Sequence, residues 1–154
     1  MDCSNPERAA KLSVMHPKPD APDTLPRGRI LAVDDSPVVR VLITASLEAL
    51  GYVVEAVDSG FAALEASKLE PFDAVVLDVD MPGMDGLAVG RALRSDPKTS
   101  ASMIAMHTSV EEAVVRDGFD DYDIFVSKSC SARSLGESVD LMIQNYRRQA
   151  AESA

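Results

Sequence analysis

The sequence contains no tryptophan, two cysteines and few aromatic residues of any kind, 5% of the 154 residues. Cys3 and Cys130 follow no metal-ligand spacing and are too few for a disulfide framework, which fits a reducing compartment. No apolar run approaches the ~20 residues of a membrane span, and the N-terminus lacks the apolar stretch of a signal peptide. These absences predict a cytoplasmic protein without membrane insertion.

Basic residues are also in deficit, with 15 Lys and Arg against 25 Asp and Glu, and the net charge is −10. Residues 1–28 are neutral, so the whole excess of negative charge belongs to residues 29–154. This charge would repel a phosphate backbone, and we therefore expect no direct binding of nucleic acid. The acidic side chains either serve solubility or surround a divalent cation, and their positions in the chain must distinguish the two.

The prolines are concentrated at the start of the chain. Five of the nine lie in residues 1–28, which show no sustained apolar periodicity and are predicted to form an extended or disordered arm. The length suits one domain with one core. We place this domain at residues 29–149, followed by a short tail at 150–154.

After the arm, β-branched apolar runs alternate with helical patterns. The predicted strands are 30–33, 53–57, 74–77, 103–106 and 124–126, and the predicted helices are 37–50, 60–69, 86–94, 110–116 and 132–148. Continuous apolar strands are typical of parallel strands covered on both faces, and right-handed crossovers then give an α/β fold with a doubly wound (βα)5 sheet. In the last helix one buried stripe is predicted, formed by Leu135, Val139, Met142 and Tyr146.

Polar residues directly follow four of these strands. Asp34 and Asp35 follow the first, Asp78 the third, Thr108 the fourth and Lys128 the fifth. Each has an ordinary explanation alone, as an acidic pair at a helix start, a turn or cap residue, or a solvated loop charge. Ligands of doubly wound sheets, however, bind beyond the carboxyl ends of the strands. The coincidence of five polar groups at that edge therefore favours a functional site.

The residue types at this edge suggest a chemistry. Three carboxylates in one cleft would repel one another unless a cation lay among them, and oxygen-only ligands suit Mg²⁺. A carboxylate nucleophile, a divalent cation, a hydroxyl donor and a lysine are what phosphoryl transfer requires.

Four segments resemble one known family: LAVDDSPVVR at 31–40, VVLDVDMPGMDGL at 75–87, MHTS at 106–109 and FVSK at 125–128. Through them, residues 29–148 resemble the receiver domain of two-component response regulators, and in particular the single-domain chemotaxis regulators. The resemblance implies a flavodoxin-like fold with strand order 2-1-3-4-5. It also implies phosphorelay signal transduction by a protein that catalyses only its own phosphorylation and dephosphorylation.

The resemblance assigns a role to each acidic residue at the strand ends. Asp78 would be the phosphoacceptor and also a ligand of Mg²⁺. Asp35 would bind the ion directly, Asp34 would act mainly through bound water, and the backbone carbonyl of Asp80 would complete the set.

It also implies a phosphate-binding group and a switch. Lys128 would bind the acyl phosphate, and Thr108 would donate its hydroxyl to the same group. The small Ser109 would leave room for the phosphoryl group. Phe125 lies where the family has its switch aromatic, which moves together with Thr108, although a core aromatic at a strand end is an equally good explanation.

The sequence departs from the family pattern in three places. Ser129 follows Lys128 where the family usually has proline, so we predict a trans peptide bond there and a different loop path. Only 20 positions separate Thr108 from Lys128, and the fourth helix is therefore expected to be short or irregular. Phe125 lacks the hydroxyl of the commoner tyrosine.

The partners that the resemblance implies are proteins. The phosphodonor would be a histidine kinase or a histidine-containing phosphotransfer protein, docking near Val38, Val39 and the loop after Lys128. No output module is recognisable in the sequence, so contact with an unidentified downstream protein is expected. A dimer that forms on phosphorylation is compatible with the family.

Two alternatives remain open at this point. A phosphatase of the haloacid-dehalogenase type would use Asp78 as nucleophile and Asp80 as general acid, but Lys128 is followed by Ser129 and Cys130 instead of further metal-binding acids. The other alternative is a degenerate receiver that is never phosphorylated and acts only as an interaction module.

Overall fold

A computed structural model of the chain describes residues 25–153. Within them, five strands alternate with five helices. The strands are β1 (Arg29–Val33), β2 (Val53–Val57), β3 (Ala74–Leu77), β4 (Met103–Thr108) and β5 (Ile124–Ser127). The helices are α1 (Pro37–Glu48), α2 (Gly60–Leu69), α3 (Gly86–Ser95), α4 (Glu112–Gly118) and α5 (Ala132–Glu152).

The strands form one parallel sheet in the order β2-β1-β3-β4-β5. This order confirms the predicted doubly wound, flavodoxin-like fold. The order reverses between β1 and β3, since the chain moves to one side from β1 to β2 and to the other side from β3 onward. In such sheets the cleft at the reversal, beyond the carboxyl ends of the strands, is the usual ligand site.

Two apolar cores cover the two faces of the sheet. Alternate residues of a strand point to opposite faces, so Ile30 and Ala32 pack with α1 and α5, whereas Leu31 and Val33 pack with α2, α3 and α4. Strand β3 is buried at every residue. The central strands are therefore continuous apolar runs because both of their faces are covered.

Four of the helices begin at a capping side chain. Ser36, Ser59, Asp85 and Ser131 each accept a hydrogen bond from a backbone N–H in the first turn of α1, α2, α3 and α5. Helix α4 differs, because Glu111 at its start makes no such bond and the helix has only 7 residues. The expectation of a short fourth helix is thus confirmed.

The end of α5 differs from the prediction. The helix continues to Glu152, so most of the predicted tail at 150–154 is helical. Tyr146 is 51% exposed, and the buried stripe ends at Met142 and Ile143 instead. The reason is geometric: strands of four to six residues are much shorter than a helix of 21 residues, and the last turns of α5 run past the sheet.

The predicted N-terminal arm falls outside the described residues, except for its last four. Arg27, one of these four, is attached to the domain. Its backbone N–H donates to Gly51 O at 2.9 Å, and its guanidinium lies 3.2 Å from Asp140 Oδ1 and over the Tyr52 ring. Ordered contacts therefore begin at least two residues before the predicted boundary, which periodicity could not show because isolated ion pairs leave no repeating pattern.

Between residues 25 and 153, no helix combines the length and the apolar composition needed to cross a membrane.

Candidate functional site

The strand register brings the predicted polar residues to one edge of the sheet. Val33 of β1 is opposite Leu77 of β3, and Leu77 is opposite Met106 of β4. The residues that follow these strands are therefore neighbours at the carboxyl edge. One carboxylate oxygen from each of Asp34, Asp35 and Asp78 lies within 4.8 Å of the other two.

Lys128 lies between the two buried carboxylates of this cluster. Its Nζ is 2.8 Å from Asp78 Oδ2 and 2.9 Å from Asp34 Oδ2. Only the contact with Asp78 has the geometry of a hydrogen bond, and Asp34 Oδ2 is a buried oxygen without a hydrogen bond. The attraction between Lys128 and Asp34 is therefore electrostatic rather than directional.

Asp78 is buried at the end of β3 and is held at both carboxylate oxygens. Oδ1 accepts a hydrogen bond from the backbone N–H of Val79 at 2.8 Å, and Oδ2 accepts one from Lys128. Burial raises the pKa of Asp78 above its usual value, the hydrogen bond from Lys128 lowers it, and the charge of Asp34 raises it again. The net direction is upward, so the protein disfavours the ionised form of Asp78 beside the charge of Asp34.

The pKa of Lys128 is raised as well. Burial alone would lower it, but the close contacts with Asp78 and Asp34, and the negative charges of these two carboxylates, outweigh burial. The lysine therefore stays protonated across the physiological range and neutralises part of the carboxylate cluster.

The donor set fits a hard divalent cation. Asp34 and Asp78 are buried, Asp35 is exposed, and all three offer oxygen. Oxygen ligands with open positions for water are what Mg²⁺ prefers. Asp34 Oδ2 is ion-paired with Lys128 but accepts no hydrogen bond, so it is a buried acceptor that an ion or its bound water would satisfy. Asp80 follows Val79 and is exposed at the same end of β3.

The hydroxyl and switch residues lie at the ends of the next two strands. Thr108 is fully buried at the end of β4, and its Oγ1 accepts a hydrogen bond from Val110 N–H at 3.2 Å. Its own hydroxyl hydrogen is therefore free to point elsewhere. Ser109 is exposed. Phe125 is half-buried in β5, with its ring centroid 6.4 Å from that of Tyr122.

The loop after Lys128 takes a polar turn. No peptide bond within residues 25–153 is cis, so Lys128–Ser129 is trans as predicted. Ser127 Oγ accepts a hydrogen bond from Ser129 N–H at 3.2 Å, and Ser127 O accepts one from Cys130 N–H at 3.0 Å. These two bonds close a turn directly after Lys128.

Two residues that support the site were missed in the sequence. Arg40 of α1 donates from Nη1 to the backbone carbonyl of Asp34 at 2.7 Å and so fixes the β1–α1 loop. Gly86 begins α3 so close to the strand end that a Cβ there would lie 1.9 Å from Asp78 O. A glycine at the first position of a helix is a signal that could have indicated such a close approach.

His107 was also missed, because it stands inside an apolar strand pattern. It is 5% exposed, and its Nδ1 has no hydrogen-bond partner among the described residues. Burial, followed by the positive charge of Lys128, lowers its pKa to about 4, although Asp34 acts in the opposite direction. At neutral pH the imidazole is therefore uncharged beside the site.

Comparison with known proteins gives a consistent result. The family described as response regulator receiver domain matches residues 30–140. The chain is 41% identical over 119 residues to the sensor histidine kinase GacS of Pseudomonas protegens, covering 72% of this chain but 13% of that protein. It is 44% identical over 97 residues to the response regulator MprA of Mycobacterium leprae, covering 61% of this chain and 42% of MprA.

Solved structures agree. The signal receiver domain of a histidine kinase from Syntrophus aciditrophicus has a TM-score of 0.71 and 32% identity, covering 79% of this chain and 93% of that one. The chemotaxis response regulator CheY4 of Vibrio cholerae has a TM-score of 0.69 and 26% identity. The match covers 74% of this chain and 97% of the CheY4 chain.

Proposed function

Since the chain belongs to the response regulator receiver domain family and so takes part in phosphorelay signal transduction, we propose that Asp78 accepts the phosphoryl group. One observation carries this assignment: Asp78 is the carboxylate to which Lys128 donates a hydrogen bond, within the only group of three acidic or metal-ligating side chains that residues 25–153 bring together. Asp34 is buried and faces the same lysine, but Arg40 and Ser36 fix its loop as support.

In the proposed reaction, an ionised oxygen of Asp78 attacks the phosphorus of a phosphohistidine. An O–P bond forms while the P–N bond breaks, and the electron pair passes to the imidazole nitrogen, which is protonated. Hydrolysis of the acyl phosphate by water returns Asp78 to its carboxylate form. The chain would thus catalyse its own phosphorylation and dephosphorylation and no other turnover.

Asp34, Asp35, Asp78 and the backbone carbonyl of Asp80 would hold Mg²⁺. When bound, the ion would neutralise the charge on the carboxylates and on the transferred oxygens. The oxygen-only donor set and the buried acceptor on Asp34 support this choice of cofactor.

The remaining site residues would act on the phosphoryl group. Lys128 would exchange its bond with Asp78 Oδ2 for a bond to a phosphoryl oxygen. The Thr108 hydroxyl would donate to another of these oxygens, since it is not engaged as a donor with Val110. Ser109 would leave space, and Phe125 would follow the movement of Thr108.

The phosphodonor would be a histidine kinase or a histidine-containing phosphotransfer protein. The downstream target of the signal would be another protein. Docking near Val38 of α1 is supported by the exposed apolar stripe that continues through Val41 and Leu42. One relative is a sensor histidine kinase and two others are sensor proteins, and this chain matches one segment of each.

Nothing in the fold or in the comparisons favours the haloacid-dehalogenase alternative. Asp80, its required general acid, is exposed and outside the three-carboxylate cluster.

The test is labelling with a small phosphodonor such as acetyl phosphate in the presence of Mg²⁺. Wild-type protein should incorporate one phosphoryl group per chain, and Asp78→Asn should incorporate none because an amide is not a nucleophile at neutral pH. Asp85→Asn, which alters an exposed cap of α3, is the matched control and should label normally. Label retained by Asp78→Asn would refute the assignment, and absence of label in wild type would support a degenerate receiver.

A further inference from the structure

Tyr122 lies between α4 and β5 and contacts elements on both sides. Its ring centroid is 6.4 Å from that of Phe125 and 6.5 Å from that of Phe119, and both ring pairs are tilted at 51° to 55°. These are favourable aromatic geometries. Tyr122 therefore packs directly on the aromatic residue of β5 that the proposed function makes part of the switch.

The hydroxyl of Tyr122 is bound to α4. It donates a hydrogen bond to Glu112 Oε2 at 2.9 Å and accepts one from the guanidinium of Arg116 at 3.3 Å. Arg116 also lies 3.1 Å from Glu112 Oε2, so three side chains form a closed polar cluster. We call Tyr122, Glu112 and Arg116 the α4 brace.

Helix α4 has few other local means of holding its first turn. It has 7 residues, and its start at Glu111 makes no side-chain capping bond. Glu112 is the first helical residue, so the Tyr122 hydroxyl is attached to the end of α4 that follows β4 and Thr108. The brace therefore links the start of α4 to the ring of Phe125 through a single side chain.

We propose that Tyr122 is a positioning residue that holds Phe125 in the unphosphorylated arrangement and opposes the switch. The inference rests on the proposed function. If Phe125 moves with Thr108 on phosphorylation, Tyr122 must either lose its ring contact with Phe125 or follow it and leave Glu112. Both alternatives give up a contact that exists before phosphorylation. Contacts made in only one of two states shift the equilibrium toward that state.

The hydroxyl that Phe125 lacks has a counterpart in Tyr122. A tyrosine at residue 125 could hydrogen-bond in one rotamer and so stabilise it directly. Here the hydroxyl belongs to Tyr122 instead, and it stabilises the opposite, resting arrangement. The hydrogen bonds of the Tyr122 hydroxyl thus stabilise the unphosphorylated state of the switch.

The experiment measures the affinity for beryllium trifluoride, a phosphoryl mimic, in saturating Mg²⁺ by titration calorimetry. Tyr122→Phe retains the ring and removes the hydroxyl bonds. It should raise the affinity by about threefold to tenfold, the range that loss of one hydrogen bond from the resting state would give. Glu112→Ala should have a similar effect, and the effect of the double variant should be clearly smaller than the sum of the two single effects, because both changes remove the Tyr122–Glu112 bond.

Tyr146→Phe is the matched control. Tyr146 is half-exposed on α5, and its hydroxyl makes no hydrogen bond within residues 25–153, so this variant should bind with wild-type affinity. Thermal melts without the mimic separate a positioning role from a merely structural one. A structural role would lower the melting temperature and leave the affinity unchanged, whereas the proposed role predicts a higher affinity even if the melting temperature falls.

Unchanged or weaker binding in Tyr122→Phe would overturn the inference. Failure of wild type to bind the mimic would instead overturn the proposed function, and the inference with it. The two failures are therefore distinguished by the wild-type titration alone.

Discussion

At the scale of single residues, charge compensation around Lys128 sets the properties of its neighbours. One ammonium faces two buried carboxylates, and a buried imidazole lies near enough to sense its charge. Burial of an unpaired charge is unfavourable. His107 is therefore neutral mainly because it is buried, and the positive charge of the half-buried Lys128 acts in the same direction.

This arrangement predicts a pH dependence of stability. The folded-state pKa of His107 is about 4, below its ordinary 6.5, so protonation favours the unfolded chain. Protonation of His107 therefore lowers the free energy of unfolding. This loss is absent above pH 6.5, grows as the pH falls, and reaches about 3 kcal/mol near pH 4. His107→Val should remove this loss, and urea unfolding of both proteins at pH 7 and pH 4.5 measures it.

The comparison between variant and wild type isolates His107 from other groups. Asp78, whose raised pKa acts in the opposite sense, is present in both proteins and its contribution largely cancels. A difference in the free energy of unfolding that stays the same at both pH values would contradict the prediction.

The sequence predicted the site residues that directly follow strands, but it did not indicate the polar residue that lies inside a strand. Asp34, Asp35, Asp78 and Lys128 were found together because strand ends in a parallel sheet share an edge. His107 could not be predicted as part of the site, since a histidine in an apolar strand looks like a core residue until its spatial neighbours are known.

At the scale of secondary-structure elements, α3 is pressed against the end of β3. Gly86 and Gly90 lie on this helix, and a Cβ at either would clash, at Gly86 with the Asp78 backbone and at Gly90 with the Phe119 ring. Gly86 thus allows α3 to pack closely against the site, and Gly90 allows it to pack closely against the residue that ends α4.

Alanine at either glycine should destabilise the fold by about 1 to 3 kcal/mol through overpacking, as measured by urea unfolding. The two variants should differ in function. Gly86→Ala would displace the Asp78 carbonyl and should slow labelling by acetyl phosphate, whereas Gly90→Ala, whose Cβ meets only the Phe119 ring, should label at nearly the wild-type rate when folded. Equal labelling rates would contradict the assignment of Gly86 to the site.

Element starts were predicted better than element ends. Serine is a favoured N-cap and proline a favoured first helical residue, so Ser36 and Pro37 indicate the start of α1 from the sequence alone. The capping bond of Ser36 confirms it. The end of α5 was placed too early, and Tyr146 was wrongly assigned to the buried stripe. The periodicity of a helix cannot show where the sheet beneath it ends, because that depends on strand length and register.

At the scale of the whole molecule, the net charge is −10, and the buried acidic side chains among residues 25–153 are Asp34 and Asp78, which lie in one cluster. The fold itself was predictable because alternating strands and helices, continuous apolar strands and right-handed crossovers leave few topologies. The proposed Mg²⁺ site rests on where the acidic side chains lie in the fold, not on how many the chain contains.

Mg²⁺ should therefore stabilise the protein. At a free concentration tenfold above its Kd the ion would contribute about 1.4 kcal/mol, which raises the Tm by several degrees. Asp35→Ala should lose most of this response and have a higher Tm than wild type without metal, because one of three repelling carboxylates is gone.

Thermal melts at constant ionic strength, with NaCl replacing MgCl₂, separate binding from screening of the overall charge. Asp117→Ala is the matched control, because it removes an exposed carboxylate near the end of α4 and should keep the full response. A Tm that responds to both salts alike would rule out a specific ion site.

Lys128 already contacts the oxygens that a metal ion would use. An ion entering the cluster would compete with an ammonium that lies 2.8 Å from Asp78 and 2.9 Å from Asp34. When the ion leaves, the lysine can return to the vacated oxygens and again offset part of the negative charge of the two carboxylates. The lysine thus serves as a resident counterion whenever the ion is absent.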